Sequence, residues 1–408
     1  MSTPRHVVIV GGGLAGAKTA EALRAQEFDG DVTLLAAEPH LPYERPPLSK
    51  GYLIGKASFD EAVVHPEDWY RDHRIDLRRG TRAATIDAIG HRVGLADGAA
   101  IGYDKLVLAT GARPRRLSLP GADAAGVHYL RTREDSDAIR ACLGDGKHLI
   151  IIGGGWIGLE VAAAARGAGT TVTLLEVAEL PLLSVLGPEL AQVFADLHQA
   201  NGVDLRLGVR IDAITTSHGR AVGARLSDGT TIEADAIVVG VGASPDLTLA
   251  ESAGLDLDHG VLVDASLRSS DPDIYAVGDI ANHDHPVFGY RVRVEHWATA
   301  LKQPAVAVAA LLGQPTAYTE LPYFYSDQYD LGMEYVGHTP NGSYDQVVVR
   351  GDLASREFVA FWLAYGRIKA AMNVNVWDVV ESIKPRITAG WGVNSDRLAD
   401  PGVPYGAL

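Results

Sequence analysis

At 408 residues the chain is too long for one ordinary domain and calls for two or three, each able to bury its own core. Hydrophobic residues make up 47% and charged residues 21%, and no apolar run reaches the roughly 18 residues that a bilayer requires. A formal net charge of -15, with no long basic run among its 36 Lys and Arg, disfavours nucleic acid and leaves no sequence signal for a membrane.

The opening sequence "MSTPRHVVIV" runs directly into a β-branched strand, without the charged and apolar regions of a signal peptide. A cytoplasmic protein is therefore expected. That strand is expected at His6–Val10, followed by a turn at Gly11, Gly13 and Gly16 and an Ala-rich helix toward Ala25. A second strand at 32–35 then leads to Glu38. The order matches a βαβ dinucleotide unit: glycines allow a tight turn and close backbone approach, and the helix N-terminus faces the pyrophosphate. Glu38 lies about 20 residues beyond the last glycine, where a carboxylate accepts hydrogen bonds from ribose hydroxyls.

Cys142 is the only cysteine, so the chain can form no internal disulfide. In "DAIRACLG" it reads as a small apolar residue on a helix. The fingerprint then recurs. A strand at His148–Ile152 precedes Gly153, Gly155 and Gly158, an Ala-rich helix runs to about Ala168, and a strand at 172–175 ends at Glu176. One such glycine pattern is weak evidence, but two copies with every element in order indicate two nucleotide sites.

After Gly240 comes "DIYAVGDIA", where Asp279 follows an apolar strand at an expected helix start and suits a capping role. The sequence "HDH" at His283 and His285 lacks a further ligand cluster, so no metal is expected. A helix follows in "EHWATALKQPAVAVAALLG". From Leu321 onward, runs such as "DQVVVRGD" and "EFVAFWLAYGRIKAAM" suggest an antiparallel sheet, closed by one or two helices.

Together, "GGGLAG", "RPPLSKGYL", "LVLATGARPR", "YLRT", "GGGWIGLE", "YAVGDIA", "RVEHWATALKQ" and "SDQYD" are far more specific than either fingerprint. Over nearly its whole length the chain resembles the pyridine-nucleotide flavoprotein reductases. Within them it is most similar to the ferredoxin-reductase branch, which includes the reductase components of aromatic-ring dioxygenases. The resemblance implies an α/β, glutathione-reductase-like fold, with two Rossmann-type dinucleotide-binding domains and a C-terminal α+β interface domain. It divides the chain into a discontinuous FAD domain at 1–110 and 240–320, an NAD domain at 111–239, and an interface domain at 321–408.

The same resemblance implies roles for individual residues. For FAD it indicates Gly11, Gly13, Leu14, Ala15 and Gly16 at the pyrophosphate loop, Glu38 at the adenosine ribose, and Ala83 near adenine through its backbone. Arg45 and Lys50 lie on the loop approaching the flavin, with Ala109, Gly111 and Arg131 in further cofactor motifs. Gly278 and Asp279 belong to the ribityl and phosphate region, and Glu295, His296 and Trp297 lie beside the ring. Arg45 and Arg131 equally suit surface ion pairs, and Trp297 a core position. For NADH the resemblance indicates Gly153, Gly155, Trp156, Ile157, Gly158, Glu160, Glu176 and Gly242, with Trp156 expected to gate or stack near the nicotinamide approach.

Lys50 and Glu160 are the candidate catalytic residues, expected to form an ion pair that tunes the flavin and positions the nicotinamide amide. Glu160 alone also fits a first-turn helix carboxylate favoured by the macrodipole. The loop after Glu176, "VAELPLL", contains no Arg to neutralise a 2'-phosphate, so NADH is expected over NADPH. Disulfide reductases of this fold pass electrons through a Cys pair, and this chain has none. The acceptor is therefore expected to be external: a two-iron two-sulfur ferredoxin supplying an oxygenase. A stand-alone NADH oxidase or quinone reductase remains a rival, as does a signalling flavoprotein resembling apoptosis-inducing factor. Tyr323 and Tyr325 stand where relatives commonly carry Trp. Both a monomer and a dimer fit.

Overall fold

In the computed structural model, which describes residues 4–340 and 343–408, the strand His6–Val10 is the middle of a five-stranded sheet. The order is Ile274–Ala276, Lys105–Leu108, His6–Val10, Asp31–Leu35 and Ile75–Arg78, with every pair parallel. Val7, Val8 and Ile9 are fully buried, because helices cover a parallel sheet on both faces and its central strands must be apolar throughout. The helices Leu14–Ala25 and Trp297–Leu311 also belong to this first unit, which comprises residues up to 44, 59–113 and 244–323. Its small antiparallel sheet is formed by Ala83–Asp87, Arg92–Leu95 and Ala100–Gly102, with Ala83 opposite Leu95.

The second unit comprises residues 45–58, 114–243 and 324–408. Around His148–Ile152 it repeats the parallel pattern in the order Asp204–Arg206, Thr171–Leu175, His148–Ile152, Ala236–Val239 and Val127–Tyr129. The helix Trp156–Gly167 connects its central strand to Thr171–Leu175.

The same unit contains a C-terminal five-stranded sheet ordered Tyr323–Gln328, Leu331–Gly337, Arg367–Val374, Glu357–Ala364 and Gln346–Asp352. The pairings of Arg367–Val374 with Leu331–Gly337 and with Glu357–Ala364 are antiparallel, as is that of Glu357–Ala364 with Gln346–Asp352. Phe358, Phe361 and Trp362 are buried in it, and the helices Val380–Ala389 and Ser395–Ala399 follow.

The segment 45–58 follows the first fingerprint unit in sequence but packs in the second unit. Leu48 and Leu53 are buried there, and the Ser136 hydroxyl donates to the Leu48 carbonyl at 2.8 Å. Two local expectations differ from the structure. Asp279 lies inside a single 3-10 turn, Gly278–Ile280, that runs straight into the strand Ala281–His285, rather than at the N-cap of a helix. Cys142 lies just past the helix Arg133–Arg140, with its sulfur 3.6 Å from His128 Nε2, and burial pushes its thiol pKa up.

Candidate functional site: two glycine loops and a buried ion pair

The two fingerprint loops share one steric logic. Gly11 has φ +128°, and a Cβ there would lie 2.1 Å from the Ala109 carbonyl oxygen; one on Gly16 would lie 1.9 Å from the Gly11 carbonyl oxygen. Gly153 has φ +107°, and its Cβ would meet the Gly240 carbonyl oxygen at 2.4 Å; that of Gly158 would meet Gly153 at 2.1 Å. Real Cβ atoms do not approach that closely, so in each loop the first and third glycines are required by the chain's own backbone.

The middle glycines are different. A Cβ on Gly13 would have no atom within 4 Å, and one on Gly155 would reach only the Gly240 oxygen at 4.0 Å. Both residues have ordinary extended backbones, and each is the N-cap of a helix, Leu14–Ala25 or Trp156–Gly167, with no side-chain cap. Each helix start therefore leaves an open, amide-lined space, which fits a dinucleotide pyrophosphate.

A carboxylate lies at the end of the second strand in each unit. The hydroxyl of Tyr43 donates to Glu38. Glu176 accepts from the Gly154 amide at 2.6 Å and from the Ala178 amide at 2.8 Å, so the carboxylate is held against its own glycine loop. Leu14 and Ala15 are buried at the first helix start. A Cβ on Gly278 would lie 3.2 Å from that of Ala15, and the Gly278 amide donates to Gln303 Oε1 at 2.8 Å.

The remaining first-unit residues have local partners. The Ala109 amide donates to Val10, and the Gly111 carbonyl accepts from Asp246. Arg293 bonds the Asp279 carbonyl at 3.2 Å and pairs with Glu295 at 2.6 Å. His296 is the N-cap of the helix Trp297–Leu311, and Trp297 Nε1 donates to Glu44 at 2.9 Å. In the second unit, Arg45 donates to the carbonyl of Arg131, whose amide donates to Asp135 at 3.0 Å. The Gly242 carbonyl accepts from the Arg115 amide. Ile157 is exposed at the start of the second fingerprint helix.

Trp156 is half-buried at the start of the second fingerprint helix. Its ring packs edge-on against Phe194 at 5.4 Å and Phe324 at 5.1 Å between centroids, so it lies against the second unit's core.

Within the second unit the structure brings Lys50 and Glu160 together: Lys50 Nζ lies 2.8 Å from Glu160 Oε1. Glu160 is only 4% exposed and the Lys50 side chain 18%. Burial at that level demands compensation for both oxygens. Ser326 Oγ donates to Oε1 at 2.7 Å, and Ser49 Oγ donates to Oε2. The Lys50 ammonium also lies 5.4 Å from the centre of the Tyr325 ring. Desolvation raises the Asp327 carboxyl above the usual range, opposed by Lys50 and reinforced by the negative charge of Glu160.

Ser49, Glu44, Ser326 and Asp327 were not singled out from the sequence. Ser49 adjoins Lys50, and Ser326 and Asp327 lie in the "SDQYD" motif, but nothing in the sequence connects them to Glu160. Among the described residues, no group of three or more His, Cys, Asp or Glu could hold a metal ion. Nor is any helix among them long and apolar enough to cross a membrane.

Comparison with known proteins agrees with this geometry. Residues 5–304 match the family described as pyridine nucleotide-disulphide oxidoreductase, and residues 323–408 match the reductase C-terminal family. The 5,5'-dehydrodivanillate O-demethylase ferredoxin reductase subunit of Sphingobium sp. (strain NBRC 103272 / SYK-6) is 42% identical over 404 residues, covering 98% of this chain and 97% of that protein. The anthranilate 1,2-dioxygenase system ferredoxin--NAD(+) reductase component of Burkholderia cepacia is 42% identical over 398 residues, covering 97% of each. Among solved structures, the covalent putidaredoxin reductase-putidaredoxin complex superposes with a TM-score of 0.95 at 38% identity, covering 99% of this chain and 98% of that one. Two families that match end to end, on a chain whose two glycine loops are both sterically open, place it plainly: the chain belongs to the pyridine nucleotide-disulphide oxidoreductase family.

Proposed function

We propose that this chain is an FAD-dependent NADH:ferredoxin oxidoreductase that passes electrons to a two-iron two-sulfur ferredoxin supplying an oxygenase. The full-length likeness to reductase components of oxygenase systems supports this reading, as does a solved relative bound to putidaredoxin. The observation that carries it is the Lys50–Glu160 pair, buried beside the second fingerprint in a chain with one cysteine. With no dithiol to relay electrons, the acceptor must be external.

In this reading the first unit holds FAD, through the loop at Gly11, Gly13 and Gly16 and through Glu38 and Asp279. Segment 111–239 holds NADH, through Gly153, Gly155, Gly158 and Glu176, and 321–408 forms the interface domain. FAD held there would supply the chemistry that turns a two-electron hydride from NADH into single electrons for the iron-sulfur protein. The chain's own residues bind and orient: the open helix starts receive pyrophosphates, Glu38 and Glu176 accept from ribose hydroxyls, and Lys50 and Glu160 present fixed charges to the reacting rings.

Anaerobic mixing with NADH, followed by candidate two-iron two-sulfur ferredoxins, tests the reading by flavin and iron-sulfur absorbance. Stoichiometric bleaching of the ferredoxin is expected. Flavin that is reduced by NADH but discharges only to quinone or oxygen would overturn it in favour of a stand-alone oxidase. Slow discharge to every acceptor, together with an NADH-dependent change of oligomeric state, would favour a signalling flavoprotein.

A further inference from the structure

A buried line of polar side chains leads away from Glu160 inside the second unit. Ser326 Oγ donates to Glu160 Oε1 at 2.7 Å. Gln328 Nε2 in turn donates to Ser326 Oγ at 3.1 Å. Gln328 Oε1 lies 2.9 Å from His198 Nε2. The Tyr329 hydroxyl is 3.4 Å from His198 Nδ1. Exposure is 4% at Glu160, 1% at Ser326 and Gln328, and 0% at His198.

The directions are set by chemistry. An amide oxygen only accepts, so His198 carries its proton on Nε2 and its Nδ1 is left to accept from Tyr329. The Gln328 amide then has its nitrogen turned to Ser326, whose hydroxyl proton goes to the carboxylate. Every donor points toward Glu160. Such a one-way chain polarises each bond in the same sense, and its negative end is the one ionised group it reaches. Burial pushes His198 down to about 4, which keeps the imidazole neutral and this order of protons intact at ordinary pH.

The chain joins three separate parts of the sequence: the helix Pro188–Ala200, the strand Tyr323–Gln328 and the fingerprint helix Trp156–Gly167. We infer that Ser326, Gln328 and His198 are positioning residues that fix the orientation of the Glu160 carboxylate, and with it the geometry of the Lys50–Glu160 pair. The inference rests on the reading above, in which Glu160 meets the nicotinamide. A carboxylate held only by a lysine keeps rotational freedom. One held from two sides by hydroxyls, with one of those tied into a packed polar chain, does not.

The test compares holoprotein variants by two independent readouts. One is the carboxylate stretch of Glu160 in difference infrared spectra of isotope-labelled glutamate, assigned by its loss in Glu160→Gln. The other is the limiting rate of flavin reduction by NADH. Ser326→Ala should shift the band and slow reduction roughly tenfold, the effect of one charge-assisted hydrogen bond. Ser326→Thr should restore both.

Gln328→Leu removes the middle of the chain, and it should shift the same band in the same direction. Wild-type bands in both Ser326→Ala and Gln328→Leu would overturn the inference. If instead Glu160→Gln is reduced by NADH at the wild-type rate, the nicotinamide reading of Glu160 fails, and the infrared shifts alone decide whether the chain orients the carboxylate.

Discussion

A Cβ on Gly16 would sit 1.9 Å from the carbonyl oxygen of Gly11, so the helix start and the strand end of the first fingerprint are in backbone contact. Gly158 and Gly153 repeat the relationship at 2.1 Å. The open middle glycines allow the two nucleotide sites to be separated by mutation. Gly13→Ala and Gly155→Ala should both fold, because neither new methyl meets protein atoms and neither backbone is left-handed.

Gly13→Ala is expected to be purified with little FAD, because the methyl occupies the pyrophosphate's approach. Gly155→Ala should retain yellow flavin yet bind NADH at least about tenfold more weakly. Flavin content by absorbance and NADH titration of the anaerobic protein check both. Equal loss of FAD in the two variants would show that the loops are not assigned as proposed.

Lys50→Met leaves a carboxylate that is 4% exposed with hydroxyl donors but no cation. Stability should fall by about 3 kcal/mol, the usual result of removing one member of a buried pair. Lys50→Met combined with Glu160→Leu should recover part of that loss, since no charge is then left buried. Denaturant unfolding of the three proteins measures the difference. A single variant as stable as wild type would mean that water reaches the pair and screens it.

Both nucleotide folds were legible in the sequence because their signals are local. The strands His6–Val10 and His148–Ile152 and the turns after them each fall within one short window of glycines and apolar residues. The Lys50–Glu160 pair came from resemblance rather than from any local pattern, because the two residues are far apart in sequence and meet only through packing. Its supports were not legible at all. Ser326 reaches Glu160 across 166 residues, and His198 reaches Gln328 across 130. A serine in a strand or a histidine on an amphipathic helix has no periodic signature that tells a hydrogen-bond partner from a filler. The packing of Trp156 was not legible either: a Trp inside a nucleotide fingerprint invites a functional reading, and nothing local shows that its ring meets Phe194 and Phe324.

Coenzyme choice should follow Glu176. Its carboxylate is fixed by two backbone amides, and the adjoining Val177 is 64% exposed and carries no charge. A 2'-phosphate would meet the negative charge, and the loop 177–183 carries no Lys or Arg to offset it, so kcat/KM for NADPH is expected at least about tenfold below that for NADH. Glu176→Ser with Val177→Arg should narrow or reverse the ratio, because the guanidinium offers a bidentate phosphate contact. Steady-state kinetics with both coenzymes decide. Equal efficiencies in the wild type would remove Glu176 from the specificity argument.

His198 should give acid unfolding a distinct component. Desolvation lowers its pKa to about 4 in the folded chain, against the hydrogen bond His198 donates to Gln328, which raises it, whereas the unfolded chain has the ordinary value near 6.5. Between those two values the unfolded state binds a proton that the folded state refuses, so stability rises with pH across the window and is level above it. The total is about 3 kcal/mol, fully present above pH 6.5 and lost as the pH falls toward 4. His198→Gln removes the titration. It should be less stable than wild type at pH 8, where the buried contacts are disturbed, yet lose less stability between pH 6.5 and 4. His128 and His285 are lowered by burial as well, but they titrate in both proteins, and the difference between the two curves isolates His198. Parallel curves of unfolding midpoint against pH would mean that the imidazole takes up its proton as readily in the folded chain as in the unfolded one, and the one-way order of protons from His198 to Glu160 would then be lost already below about pH 6.5.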